Sequence, residues 1–266
     1  MFQITILFLY SLAAFSFALS RLSAWSQQSN VLVPAAFLLA VTAICIDSWL
    51  LYVALDAGRN VSLSNALALI GWQIAVIGVA GALRPSLRGV AAGLLALAAV
   101  FALLTRKSAI PDVAPELGWQ IRTHVLTSLF AYGLLTVGAI LAVFALVQEG
   151  RLKSRKLSGP NSLFAPLETT EALLFWVTTA GFTVLALSVI SGFTFIEDLF
   201  AQHLVHKTVL SLLALVLFGV LILGRRFGGW RGRRAIYLYL AGFALLCLAY
   251  FGSRYILEEI LGRSWS

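Results

Sequence analysis

Residues 120–147 read QIRTHVLTSLFAYGLLTVGAILAVFALV, a run in which Arg122 is the single residue with a fixed charge. Lipid offers the backbone no hydrogen-bond partner, so a run of this kind is stable across a membrane only as a helix, and about 20 apolar residues suffice for the crossing. This stretch is longer than that. It decides the class of the whole chain, because seven further runs resemble it.

Composition agrees. Of the 266 residues 61% are apolar and 11% charged, against about 25% charged in ordinary soluble domains. Eight spans are expected: Phe2 to Leu19, Val31 to Leu55, Ser64 to Leu83, Gly89 to Leu104, Gln120 to Val147, Ala172 to Ile196, Val209 to Leu223 and Ala235 to Leu257. The fourth and seventh are short and have room for an extra turn at either end. The first lacks a basic residue ahead of its apolar run, which a secretory signal needs, so it is read as a span. No stretch resembles a linker and no internal repeat is present. The expectation is an all-α polytopic membrane bundle forming one domain over residues 1–266.

Lys and Arg near span ends are retained on the cytoplasmic side. Alternate loops carry Arg21, then Arg84 and Arg88, then Arg151, Lys153, Arg155 and Lys156, then Arg225, Arg226, Arg231, Arg233 and Arg234, twelve of the nineteen basic residues. Both termini are therefore expected to face outward. The formal charge of +8 is accounted for by these clusters meeting anionic headgroups of the lipid bilayer. No nucleic-acid partner is needed. The polar stretch from Glu149 to Glu171 reads as a solvated cytoplasmic loop. Cys45 and Cys247 sit singly within spans and read as small apolar packers.

The chain's three histidines fall on one side under this topology. His124 lies just inside the outer end of span five, and His203 and His206 lie in the outward loop FIEDLFAQHLVHKT, residues 195–208, that leads into span seven. Imidazole is a good metal ligand whose second nitrogen is tuned by a hydrogen bond. Being three residues apart on a helix, His203 and His206 would share a face and could bind a small ion together with Glu197 or Asp198. That spacing forbids them from being the two axial ligands of one haem, which approach the iron from opposite sides, so a haem would pair His124 with His203 or His206. Asp47, in CIDSWL, and Trp72 are the other polar candidates inside spans, since an intramembrane carboxyl is by default functional or paired. No activated nucleophile and no phosphate-cradling glycine loop is present, and no enzyme is expected.

The runs HVLTSLFAYGLLTVGAILAVFALV from His124, SGFTFIEDLFAQHLVHKTVLSLLALVLFGVLILGRR and LAGFALLCLAYFGSRYILEEIL resemble the cytochrome c assembly protein family, the likeness being greatest to its YpjD-type inner-membrane branch. The resemblance implies a bacterial inner-membrane bundle that presents haem b at its outward face, held by histidines and an aromatic loop. Its partners would be other membrane proteins of cytochrome c maturation or the haem pathway. His124 matches the family's first outward histidine, and residues 197–207, ending at Lys207, stand where the family has a tryptophan-rich signature; Trp119 is a further supporting candidate. This chain has no Trp between Trp176 and Trp230 and no histidine after Tyr250, so His203 or His206 is expected to replace the second ligand. Two other functions fit the same residues: a small-cation path using Asp47, Glu197, Asp198 and the histidines, and a regulator of tetrapyrrole synthesis docking through Arg151 to Lys156.

Overall fold

A computed structural model describes residues 2–56, 63–105, 118–153, 166–195 and 205–252. These residues are all-α, and no strand occurs among them. The helices are α1 (Phe2–Leu19), α2 (Ser29–Asp56), α3 (Leu63–Ala82), α4 (Arg88–Leu104), α5 (Trp119–Lys153), α6 (Leu167–Phe195), α7 (Val205–Gly228) and α8 (Arg233–Cys247). A short 3₁₀ segment, Ser23–Gln28, precedes α2, and a π-helical turn, Leu248–Gly252, continues α8. All eight are long and apolar enough to cross a membrane.

The boundaries depart from the sequence expectation mostly by extension. Helix α7 begins at Val205 rather than Val209, which puts His206 in its first turn and not in a loop. Helix α5 runs on to Lys153, so the polar stretch expected as a loop starts as helix, with Glu149 and Lys153 paired at 2.8 Å along it. That pair has the Glu-before-Lys, i to i+4 order that supports an exposed helix end. The Cys45 side chain is exposed on α2 and does not pack inward as expected.

Two compact units emerge, one comprising Met1–Glu116 with Val147–Ala172, the other Leu117–Leu146 with Leu173–Ser266. In the first, α1 packs on α2 and α4, and α3 on α4 and α2. The α1 core face is Ile6, Tyr10, Ala13 and Phe17, a 4-3-4 spacing that keeps one stripe of a helix inward. Phe17 meets Phe37 edge on at 5.1 Å, and the Gln3 amide donates to the Thr105 carbonyl, tying the start of α1 to the end of α4. In the second unit α7 packs on α8. Tyr239 of α8 is fully buried and donates to the Leu135 carbonyl of α5 at 2.7 Å. Only glycine at 138 admits it, because a Cβ there would overlap the Tyr239 hydroxyl.

Apolar side chains outside the core, such as Trp176 at 76% exposure, follow from a hydrocarbon surrounding, which removes the penalty that water would impose on them. Hydroxyls on such surfaces are satisfied within their own helix. Exposed Thr42, Thr179 and Thr183 donate to the carbonyls four residues back, Leu38, Phe175 and Thr179, at 2.8, 2.8 and 2.9 Å, which is how a hydroxyl is tolerated where water is absent.

Candidate functional site

In the second unit α5, α6, α7 and the π-helical turn enclose a cavity of about 130 Å³. Helix α5 contributes His124, Ser128 and Tyr132 to its wall. Their i, i+4, i+8 spacing stacks them on one face. Helix α6 contributes Ser188 and Gly192, again four apart, and α7 contributes Lys207 and Ser211, four apart as well. Tyr250 comes from the π-helical turn. Such a turn shifts every following side chain around the helix axis, and π-turns recur at functional sites.

The serines around His124 fix its protonation pattern. The Ser191 hydroxyl has one proton, and it donates to the Ser188 carbonyl at 2.7 Å, since a carbonyl can only accept. The contact between His124 Nδ1 and Ser191 Oγ at 2.9 Å is then an Nδ1–H donating to the hydroxyl oxygen. In the neutral ring Nε2 is left with its lone pair. By the same logic the Ser128 hydroxyl donates to the His124 carbonyl at 2.8 Å, so in the 2.6 Å contact with Ser128 it is the Ser188 hydroxyl that donates. Gly192 permits this approach, because a Cβ there would lie 3.1 Å from His124 Cε1. The other wall is as ordered: the Tyr132 hydroxyl donates to the Leu246 carbonyl at 3.1 Å, the rings of Tyr132 and Tyr250 are 5.6 Å apart, and Lys207 Nζ lies 5.6 Å from the centre of the Tyr250 ring.

The remaining candidates fall elsewhere. His206, next to Lys207, is exposed and does not line the cavity. Trp119 is exposed at the start of α5 and packs edge on against Phe195 at 6.0 Å. Glu197, Asp198 and His203 lie outside the described residues, among which no three His, Cys, Asp or Glu side chains cluster as a metal site would require. Asp47 belongs to the first unit, 9% exposed, and accepts from the Tyr10 hydroxyl at 3.3 Å. Trp72, in the same unit, donates to the hydroxyl of Ser48, Asp47's neighbour, at 2.8 Å.

The sequence profile described as Cytochrome C assembly protein matches residues 5–261. The chain belongs to the cytochrome c assembly protein family. Inner membrane protein YpjD of Escherichia coli (strain K12) is 30% identical over 265 residues, 95% of this chain and 98% of that protein. The "Uncharacterized 28.8 kDa protein in nifR3-like 5'region" of Azospirillum brasilense is 32% identical over 167 residues, 61% of each chain. No solved structure matches. Family membership thus extends over both units, from α1 through α8, and the likeness seen around His124 is one part of it.

Sequence reasoning singled out His124 and Lys207 but passed over Ser128, Ser188, Ser191, Gly192 and Tyr250. Part of this was legible. His124, Ser128 and Tyr132 repeat at helical spacing, as do Ser188, Ser191 and Gly192, and a polar stripe along an apolar helix is itself a signal. Tyr250 carries the same signal, standing four residues after the buried Leu246.

Proposed function

We propose that this protein is a haem-handling protein of the bacterial inner membrane, working in cytochrome c assembly or haem trafficking, with His124 as the protein's donor to the haem iron. Haem is held and passed on without a covalent reaction of the protein's own. Membership in the cytochrome c assembly family supports the class. The observation that supports the residue assignment is the hydrogen-bond order at His124, which favours the tautomer with its proton on Nδ1 and the Nε2 lone pair left for a metal.

The donor chemistry of the site fits haem. Histidines that bind metals as a rule donate their other ring N–H to a neighbouring acceptor, which fixes the ring and raises its basicity; Ser191 fills that role here. The wall beside His124 is apolar, with Leu129, Leu185, Val189 and Phe193, as a tetrapyrrole face requires. The cavity's volume of about 130 Å³ is below the roughly 300 Å³ of the smallest ordinary ligand pockets. It accommodates part of such a ligand, and the rest of the ring would lie beyond it. A bound haem would supply an iron whose ligation and spectrum report on His124.

The distribution of basic residues supports a topology in which the His124 end of α5 faces outward, with both termini on that side.

Purified full-length protein titrated with ferric haem is expected to develop a Soret band distinct from that of haem in the same detergent. His124→Ala should remove it. A spectrum identical in the two proteins would refute the assignment of His124, and no band in either would refute haem binding.

A further inference from the structure

Lys207 is not explained by iron ligation, yet it lines the same cavity as His124. A lysine near the end of a membrane helix ordinarily extends to the interface, leaving its stem on the apolar surface. The exposed position on this turn is instead taken by its neighbour His206. The Lys207 ammonium sits over the Tyr250 ring, 5.6 Å from its centre, within the distance at which a ring face attracts a cation. Tyr250 thus holds the ammonium toward the cavity.

The described lining combines this one ammonium with an apolar wall and neutral hydroxyls, and it includes no carboxyl group. Such a wall favours a ligand that is apolar over most of its surface and carries an anion at one edge. An ionisable side chain inside a membrane commonly serves as the counter-ion of a ligand. A lysine ammonium is a compact point charge and forms a charge-assisted hydrogen bond with a carboxylate without demanding a planar, two-pronged partner.

Building on the haem reading above, we propose that Lys207 is the counter-cation for a propionate carboxylate of the bound haem. His124 selects for the metal, and Lys207 selects for the acid edge of the same ligand. Lys207 is a specificity-determining residue on this account, and tetrapyrroles whose carboxylates are masked are discriminated against.

The test compares ferric haem with haem dimethyl ester, in which both carboxylates are esterified, by Soret titration of the purified full-length protein. The wild type is expected to bind the free acid about tenfold more tightly than the ester, equivalent to about 1.4 kcal/mol. Lys207→Met should bind both with the affinity of the ester, and Lys207→Arg, which keeps the charge, should retain most of the preference. Equal affinities for acid and ester in the wild type would overturn the proposal while leaving haem binding intact, as would an undiminished preference in Lys207→Met. Failure of the wild type to take up either compound would overturn the haem reading, and this inference with it.

Discussion

The two units use their buried polar groups in opposite ways. In the first, Asp47 meets the hydroxyl of Tyr10, Trp72 meets Ser48, and Gln73, only 2% exposed, has an amide with no partner among the described residues. In the second, His124, Ser128, Ser188 and Lys207 line a cavity. Polar groups cost free energy in an apolar surrounding wherever they lie. What differs is the setting: closed pairs such as Tyr10–Asp47 specify which helices meet, whereas the second unit's polar groups, Ser128 and Ser188 bonded to one another among them, stand at a cavity wall. The lesson is that an intramembrane carboxyl, the most conspicuous polar residue in the sequence, need not mark the site.

Variants in the two units test this contrast. The largest effect expected is loss of the haem Soret band in His124→Ala, against an unchanged band in Asp47→Asn, which keeps a hydrogen-bond acceptor for Tyr10. Loss of the band in both would mean that the two units do not divide the work as described. Next comes Ser191→Ala, which frees the imidazole to rotate and to move its proton. Removing such an orienting partner typically weakens metal binding about 10- to 100-fold, and a titration that showed no change would discount the serine's role.

Smaller effects concern folding and are read from thermal unfolding in detergent. Gly138→Ala drives a methyl group into the Tyr239 hydroxyl, and overpacking of this kind costs about 1–3 kcal/mol. Wild-type stability in that variant would show that α5 and α8 separate easily. Gln73→Leu should be neutral or stabilising by about 1 kcal/mol, because an unpaired buried amide costs about that much or more. A clear loss of stability would instead reveal that the Gln73 amide has a partner in the membrane.

Helix positions were legible in the sequence because apolarity is local: each span's fate in lipid depends on its own residues. The ends were less legible. Capping and continuation into polar sequence add residues that hydropathy does not count, as in Val205 to Thr208 at the start of α7 and Gln148 to Lys153 at the end of α5. For the site, His124 stood out by chemistry alone. Its companions did not, since serine and glycine are common in membrane helices and become informative only once their helical spacing is set against a neighbouring face.

By itself, then, the sequence determined the all-α class, the eight apolar helices and the family, all of which follow from residue type and local order. Tertiary structure decided that Lys207, rather than His206, stands at the cavity with His124 and that Tyr250 completes its wall. The physical reason is azimuth: adjacent residues on a helix point about 100° apart, so packing against α5 and α6 selects one of two neighbours.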